Sequence, residues 1–270
     1  MNISHRLRAA FAAAILAVPL LSGCAADTEK DASYKERPVE DLYNEAMNDL
    51  NDEDYQKAAK AFDEVERQHP YSVWATKAQL MAAFALYQRN KFDEAIVALD
   101  RFIQLHPSHK DAPYAYYLKA LCYYEQIVDV GRDQKITDQA LKALQEVVDR
   151  FPNSKYARDA KLKVDLARDH MAGKEMNIGR YYEGQHQYLA AINRFRNVVD
   201  NYQTTTHVPE ALHRLIECYE ALGLTEEAKK AGAVLGYNYP GSDWYGDSYK
   251  LVDGKFADKP QDSGSSWWPW

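Results

Sequence analysis

The 270-residue chain lacks the short motifs on which most enzyme centres are built. It has no Cys-x-x-Cys, no His-Glu-x-x-His, no Gly-x-Ser-x-Gly and no phosphate-cradling P-loop. Redox, zinc-protease, acyl-transfer and nucleotide chemistry therefore have no recognisable seat, and no cofactor is implied. A surplus of positive charge is also missing, with 33 Lys and Arg against 40 Asp and Glu. Nucleic-acid phosphates reward clustered cations, so an anionic body fits that class of partner poorly. Long apolar runs are scarce as well: the stretch from Ala9 to Leu21 contains Pro19 and falls short of the roughly 20 residues that span a bilayer. What is present is ample for a packed body, at 46% hydrophobic and 12% aromatic residues.

The apolar stretch follows a basic segment (His5, Arg6, Arg8) and reads as an export signal covering residues 1–23. It ends in Leu21-Ser22-Gly23-Cys24, which is similar to the bacterial lipobox, where the cysteine thiol receives a diacylglycerol before cleavage on its N-terminal side. Cys24 is thus the expected lipidation site and first mature residue, and several acyl chains on one residue anchor stably where a single chain does not. Ala25 follows in place of the aspartate that resembles an inner-membrane retention signal, so the expected location is the periplasmic face of the outer membrane. Cleavage removes two of the 33 cations and no acid, leaving a net charge of −9. Residues 24–37 are polar and read as a tether. Residues 244–270 read as a polar tail ending in Trp267-Trp268-Pro269-Trp270, whose indoles suit either a docking interface or a fold-back onto the body.

Between these ends the chain repeats itself. Pro70, Pro107, Pro152 and Pro240 each close a helical segment, and Gln203 stands where a fifth proline belongs. Twelve positions before each lie Ala58, Ala95, Ala140, Ala191 and Ala228. Four residues on come Phe62, Leu99, Leu144, Phe195 and Gly232, and seven on come Val65, Phe102, Val147, Val198 and Leu235. Alanine followed by bulk at these intervals is one stripe of an amphipathic helix. Each such helix is preceded by another carrying a small residue for close packing, such as Ala46, Ala83 or Gly179. The predicted fold is all-α, a tetratricopeptide-type solenoid of about five helix-turn-helix repeats over residues 38–243, ending near 70, 107, 152, 203 and 240. The third repeat is interrupted by a loop from Gln126 to Ile136. The third spacing, from Pro152 to Gln203, exceeds 37 by 14 residues, close to four helical turns, and is predicted to lengthen one helix from about Ser154 to Tyr182.

Residues that could carry chemistry have structural readings in this frame. His69 and His106 share one repeat position with Phe151, Tyr202 and Tyr239, which marks them as turn-packing or cap residues, not ligands. Asp52-Glu53-Asp54 precede a helix and complement its N-terminal dipole. Cys122 and Cys218 lie in apolar stretches of different repeats and read as small buried hydrophobes, although an oxidising periplasm would permit a bridge. Among the 20 tyrosines, Tyr114, Tyr117 and Tyr124 share a helix. They serve as core at helical spacing or line a groove for an apolar peptide.

Three segments carry a more specific likeness: Asp100 to His109, Phe151 to Tyr156, and Tyr181-Tyr182 with Tyr188 to Phe195. These resemble the BamD lipoproteins, over about Tyr43 to Lys230, whereas Gln203 and the tryptophan-ended tail depart from the family. The resemblance implies a non-enzymatic scaffold of the outer-membrane β-barrel assembly (BAM) complex. Its implied partners are the barrel-forming subunit's periplasmic domains, other lipoproteins of the machinery and unfolded outer-membrane proteins. Arg194 matches the family arginine associated with the barrel-forming subunit, and it occupies a position where the other repeats have Ala61, Ala98, Ala143 and Ala231. It either reaches a partner carboxylate or closes an internal bridge, for example to Glu183 or Glu210. A tetratricopeptide lipoprotein that coordinates peptidoglycan synthesis or cell division is the alternative. Lipidation is checked by mass spectrometry: Cys24→Ala is expected to give a soluble or signal-retaining protein, and an unmodified Cys24 in the mature membrane-bound form contradicts it.

Overall fold

The computed structural model describes residues 36–251, so Cys24, most of the tether and the Trp267–Trp270 segment lie outside the described residues. Among the described residues all regular structure is helical, in eleven helices. They fall into five hairpins and a final helix. The hairpins are α1 (Val39–Asn51) with α2 (Tyr55–Gln68), α3 (Val73–Gln88) with α4 (Phe92–Leu105), α5 (Ala112–Tyr124) with α6 (Lys135–Arg150), α7 (Lys155–Gly184) with α8 (Tyr188–Asn201), and α9 (Val208–Ala221) with α10 (Thr225–Asn238). The final helix is α11 (Asp243–Leu251). Each helix packs on its neighbours in sequence, and α1, α3, α5 and α7 also stack on one another in turn. This is the tetratricopeptide solenoid that the register predicts.

Small residues set the spacing between helices. The five register alanines and the bulky residues after them are completely buried, and so are Ala46 and Ala83. Gly179 shows the constraint most sharply, since a Cβ there would stand 2.4 Å from Cε1 of Phe195. Only a residue without a side chain allows α7 to lie this close to the ring that fills its hairpin.

Both kinds of turn recur. Within hairpins one residue adopts a left-handed conformation: Glu53, Asn90, His186 and Gly223. The next amide reaches back five residues to a helix carbonyl, as in Asp54 N to Asp49 O at 2.9 Å and Leu224 N to Tyr219 O at 2.8 Å. These are Schellman closures, which satisfy carbonyls that a helix end leaves orphaned. Between hairpins, His69, His106, Phe151, Tyr202 and Tyr239 all form C-caps with nearly the same backbone angles, as the shared position of the histidines predicts. In three of these turns the sequence Pro-x-Ser follows, and Ser72, Ser154 and Ser242 cap the next helix through their hydroxyls. Where Gln203 replaces proline the turn persists, because Thr205 N still bonds Tyr202 O at 3.0 Å. Asp169, from the middle of α7, holds this turn by accepting from Thr206 N and Oγ1 at 3.2 and 3.0 Å, and α9 starts without a side-chain cap.

The lengthened helix is present as α7, with 30 residues. Ala160 and Val164 in its first half pack with Ala120 and Leu144 of the third repeat, while Ala172 and Met176 in its second half pack with Phe195 and Ile216. Its midpoint also holds the third repeat's loop, through Lys174 Nζ to Gly131 O at 2.9 Å. Cys122 and Cys218 are free, buried thiols, and burial pushes both up to about 12.

The structure departs from the sequence reading at α11, where a polar tail is expected from residue 244. Tyr245 is buried against Gly236, where a Cβ would stand 2.7 Å from the ring, and Ser248 is fully buried. A nine-residue helix whose inward face is one tyrosine and one serine shows no apolar stripe, so periodicity does not reveal it. His213 Nδ1 and Ser248 Oγ lie 2.8 Å apart, and Trp244 packs over His213 with centroids 5.2 Å apart. Burial lowers the His213 pKa from 6.5 against the opposing pull of Glu217, with Arg214, Asp247 and Glu210 also facing it.

Two outcomes follow from this packing. Phe195→Ala is expected to destabilise the fold by about 3 to 5 kcal/mol, and Gly179→Ala by about 1 to 3 kcal/mol through overpacking, both read from urea unfolding followed by circular dichroism. Folding favours neutral His213, so its contribution is complete above pH 6.5 and is lost as pH falls through the lower folded value. Amide exchange should therefore show α11 losing protection as pH falls below 6.5, and His213→Gln should flatten that dependence.

Candidate functional site

The fourth hairpin carries a groove of about 520 Å³, lined among others by Glu175, Tyr182, Asn193, Arg194, Asn197 and Asn201. Arg194 sits on α8 at a helix seam that alanine fills in the other four repeats. The guanidinium cannot enter the seam and instead crosses to α7, where Nη1 lies 3.2 Å from Oε2 and 3.5 Å from Oε1 of Glu175. Its side chain keeps 42% of its exposure while Glu175 keeps 17%. Such a half-exposed pair contributes only about 0 to 1 kcal/mol. The carboxylate engages Nη1 alone among the described residues, so the fork geometry that a guanidinium offers to a second carboxylate is not used up.

The internal acid differs from those that the sequence suggests. Glu183 lies eight residues beyond Glu175 along α7, about 12 Å of helix rise nearer the hairpin turn and away from Arg194. Glu183 and Glu210 belong to a separate cluster at the rear: Arg180 meets Glu210 at 2.8 Å, and Arg214 lies 3.6 Å from each of Glu183 and Glu210. Burial raises the Glu183 carboxyl pKa in this cluster despite the adjacent Arg214. The pairing is set by which residues of an antiparallel hairpin lie level, and sequence offers no direct signal for it.

Tyr114, Tyr117 and Tyr124 come together elsewhere, at the seam of α5 with α7. The Tyr114 and Tyr117 rings lie 5.5 and 5.3 Å from Tyr156, the second pair stacked. Lys163 stands 5.2 Å over the Tyr124 ring and 3.2 Å from Asp159. The Tyr117 hydroxyl donates to Asp159, which lowers the Asp159 carboxyl pKa, while burial pushes the Tyr114 hydroxyl up to about 12. All three rings are half-buried, and none of them lines the Arg194 groove.

The family described as YfiO, outer membrane lipoprotein, matches residues 35–235. Over 242 residues the chain is 53% identical to outer membrane protein assembly factor BamD of Caulobacter vibrioides, covering 89% of this chain and 79% of that protein. The BamD of Rickettsia prowazekii is 48% identical over 240 residues, covering 88% and 95% of the two chains. That of Neisseria meningitidis serogroup A is 37% identical over 235 residues, covering 82% and 88%. With the match running from the start of α1 almost to the end of α10, the chain belongs to the YfiO family of outer membrane lipoproteins, to which these BamD assembly factors are its similar relatives.

Proposed function

We propose that the chain is the lipid-anchored, periplasm-facing scaffold subunit of the machinery that assembles β-barrel proteins in the outer membrane. The observation that carries this reading is its kinship, over nearly the whole solenoid, with proteins named outer membrane protein assembly factors. Attachment is assigned to acyl chains on Cys24, and the work of the body is binding and not catalysis. Its partners in this reading are the barrel-forming subunit's periplasmic domains, neighbouring lipoproteins of the complex, and unfolded barrel precursors received by the front repeats. A peptide groove on Tyr114, Tyr117 and Tyr124 would have to compete with the α7 contacts that already hold those rings.

Arg194 is the docking contact in this reading. It is the one register position where a guanidinium replaces alanine, and its internal partner engages a single nitrogen. A carboxylate of the barrel-forming subunit would compete with Glu175 for it. Copurification of the lipid-anchored chain with that subunit tests the assignment. Arg194→Ala is expected to weaken the association by about 2 to 5 kcal/mol. Arg194→Lys should not restore it, because an ammonium lacks the planar fork, and Glu175→Gln should tighten it by removing the competitor. A sharp fall in the melting temperature of Arg194→Ala with unchanged affinity would instead make the arginine an internal strut.

A further inference from the structure

The turns between hairpins lie along one edge of the solenoid, the edge at which α1, α3, α5, α7 and α9 begin. Two positions in each turn are exposed, one and three residues after the proline or, in the fourth, after Gln203. In the later turns they hold Ser108 and Lys110, Asn153 and Lys155, Thr204 and Thr206, and Gly241 and Asp243. The first turn alone has apolar bulk at both, in Tyr71 and Val73. Tyr71 is 101% exposed and Val73 75%, so neither side chain serves the core. Polar residues or glycine complete the same turn elsewhere, so its geometry does not ask for a ring and a branched chain.

This turn stands beside the start of α1. Trp74, which follows Val73, packs on Tyr43 with centroids 4.8 Å apart, and Val39, Tyr43 and Trp74 lie against one core cluster. Val39 comes 15 residues after Cys24, and a chain of that length cannot stretch beyond about 54 Å. Acyl chains on Cys24 would therefore keep this edge close to lipid, at an effective concentration on the order of millimolar. Two side chains alone bind a bilayer weakly, but under such a tether they need only hold an edge that is already near. A phenol suits the headgroup layer, where its ring is covered and its hydroxyl stays wet. Lys77 Nζ lies 4.7 Å over the Trp74 ring, so a cation accompanies the apolar pair at the level of lipid phosphates. Exposed Glu40 and Asp41 in the first turn of α1 offset that cation, so the contact is one of apolar surface and not of net charge.

We propose that Tyr71 and Val73 seat the first inter-hairpin turn in the headgroup layer of the membrane that holds Cys24. The inference rests on the lipid-anchor reading. Only the turn is taken up, so the helix faces of the front hairpins stay open. The turns within hairpins, at the opposite edge, are directed away from the lipid.

The test uses the full mature chain in nanodiscs of phosphatidylethanolamine and phosphatidylglycerol, with a nitroxide at residue 73 (Val73→Cys) or, as the control, at residue 153 (Asn153→Cys). Cys122 and Cys218 are buried and escape the label. Power saturation in electron paramagnetic resonance reads collision with an aqueous nickel chelate, against the same chains carrying Cys24→Ala in buffer. Collision at residue 73 is expected to fall by about threefold or more in nanodiscs, while that at residue 153 stays as it is. Tyr71→Ser should return residue 73 toward its value in buffer. No fall at residue 73, an equal fall at both positions, a fall that Tyr71→Ser leaves untouched, or one that vanishes without phosphatidylglycerol overturns the proposal. Mass spectrometry of the same preparation separates the two readings. An unacylated Cys24 removes the anchor and the proposal with it, whereas an acylated chain with residue 73 open to nickel overturns the contact alone.

Discussion

Everything in this solenoid depends on how closely two helices of one hairpin can approach. The register alanines and Gly179 hold that distance short, and the rings and branched chains that follow them fill what is left. Interiors are close-packed, so a single added carbon at such a seam must displace a ring or a helix. The same constraint explains Arg194. A side chain too large for the seam is turned outward, and in turning it acquires both an internal acid and a face open to a partner. A departure from the repeat therefore marks a candidate contact, because the repeat itself leaves no room for one.

The five-fold register was legible in the sequence because alanine, bulk and a terminal proline recur at fixed offsets, and each offset has one physical meaning. The cap role of His69 and His106 was legible for the same reason, as other repeats place Phe151, Tyr202 and Tyr239 there. The extra length of α7 followed from the absence of proline and from a whole number of turns. Less was legible where meaning comes from tertiary neighbours. Glu175 carries no mark in the sequence that distinguishes it from Glu183 or Glu210 as the partner of Arg194. Helix α11 buries Tyr245 through a close approach at Gly236, and a nine-residue segment is too short for its inward face to form a pattern.

Charge in the rear half is organised differently from charge on the front helices. In front, single pairs cross between helices, as Lys57 with Asp49, Arg101 with Glu66 and Lys119 with Asp100, beside i,i+4 pairs such as Arg150 with Glu146 that stay on one helix and stabilise little. At the rear, Arg180, Glu183, Glu210, Arg214 and Glu217 join α7 to α9, and Trp244 of α11 covers Arg214 at 5.8 Å. The last helix is thus held by an imidazole, a hydroxyl and an indole beside the one buried ring of Tyr245. That makes its attachment sensitive to protonation of His213.

Helix α7 has a mechanical consequence. Stacked repeats ordinarily touch only their immediate neighbours, so each boundary is a joint at which bending and unfolding can start or stop. Here one rod of 30 residues, about 45 Å long, belongs to two repeats at once, with its first half set in the third and its second half in the fourth. The boundary that would have been a hinge is spanned by continuous helix, and its midpoint is tied to a loop on one side and a turn on the other. A pull on the groove at Arg194 is therefore delivered along a shaft to the tyrosine seam, and the two halves of the molecule turn as one lever.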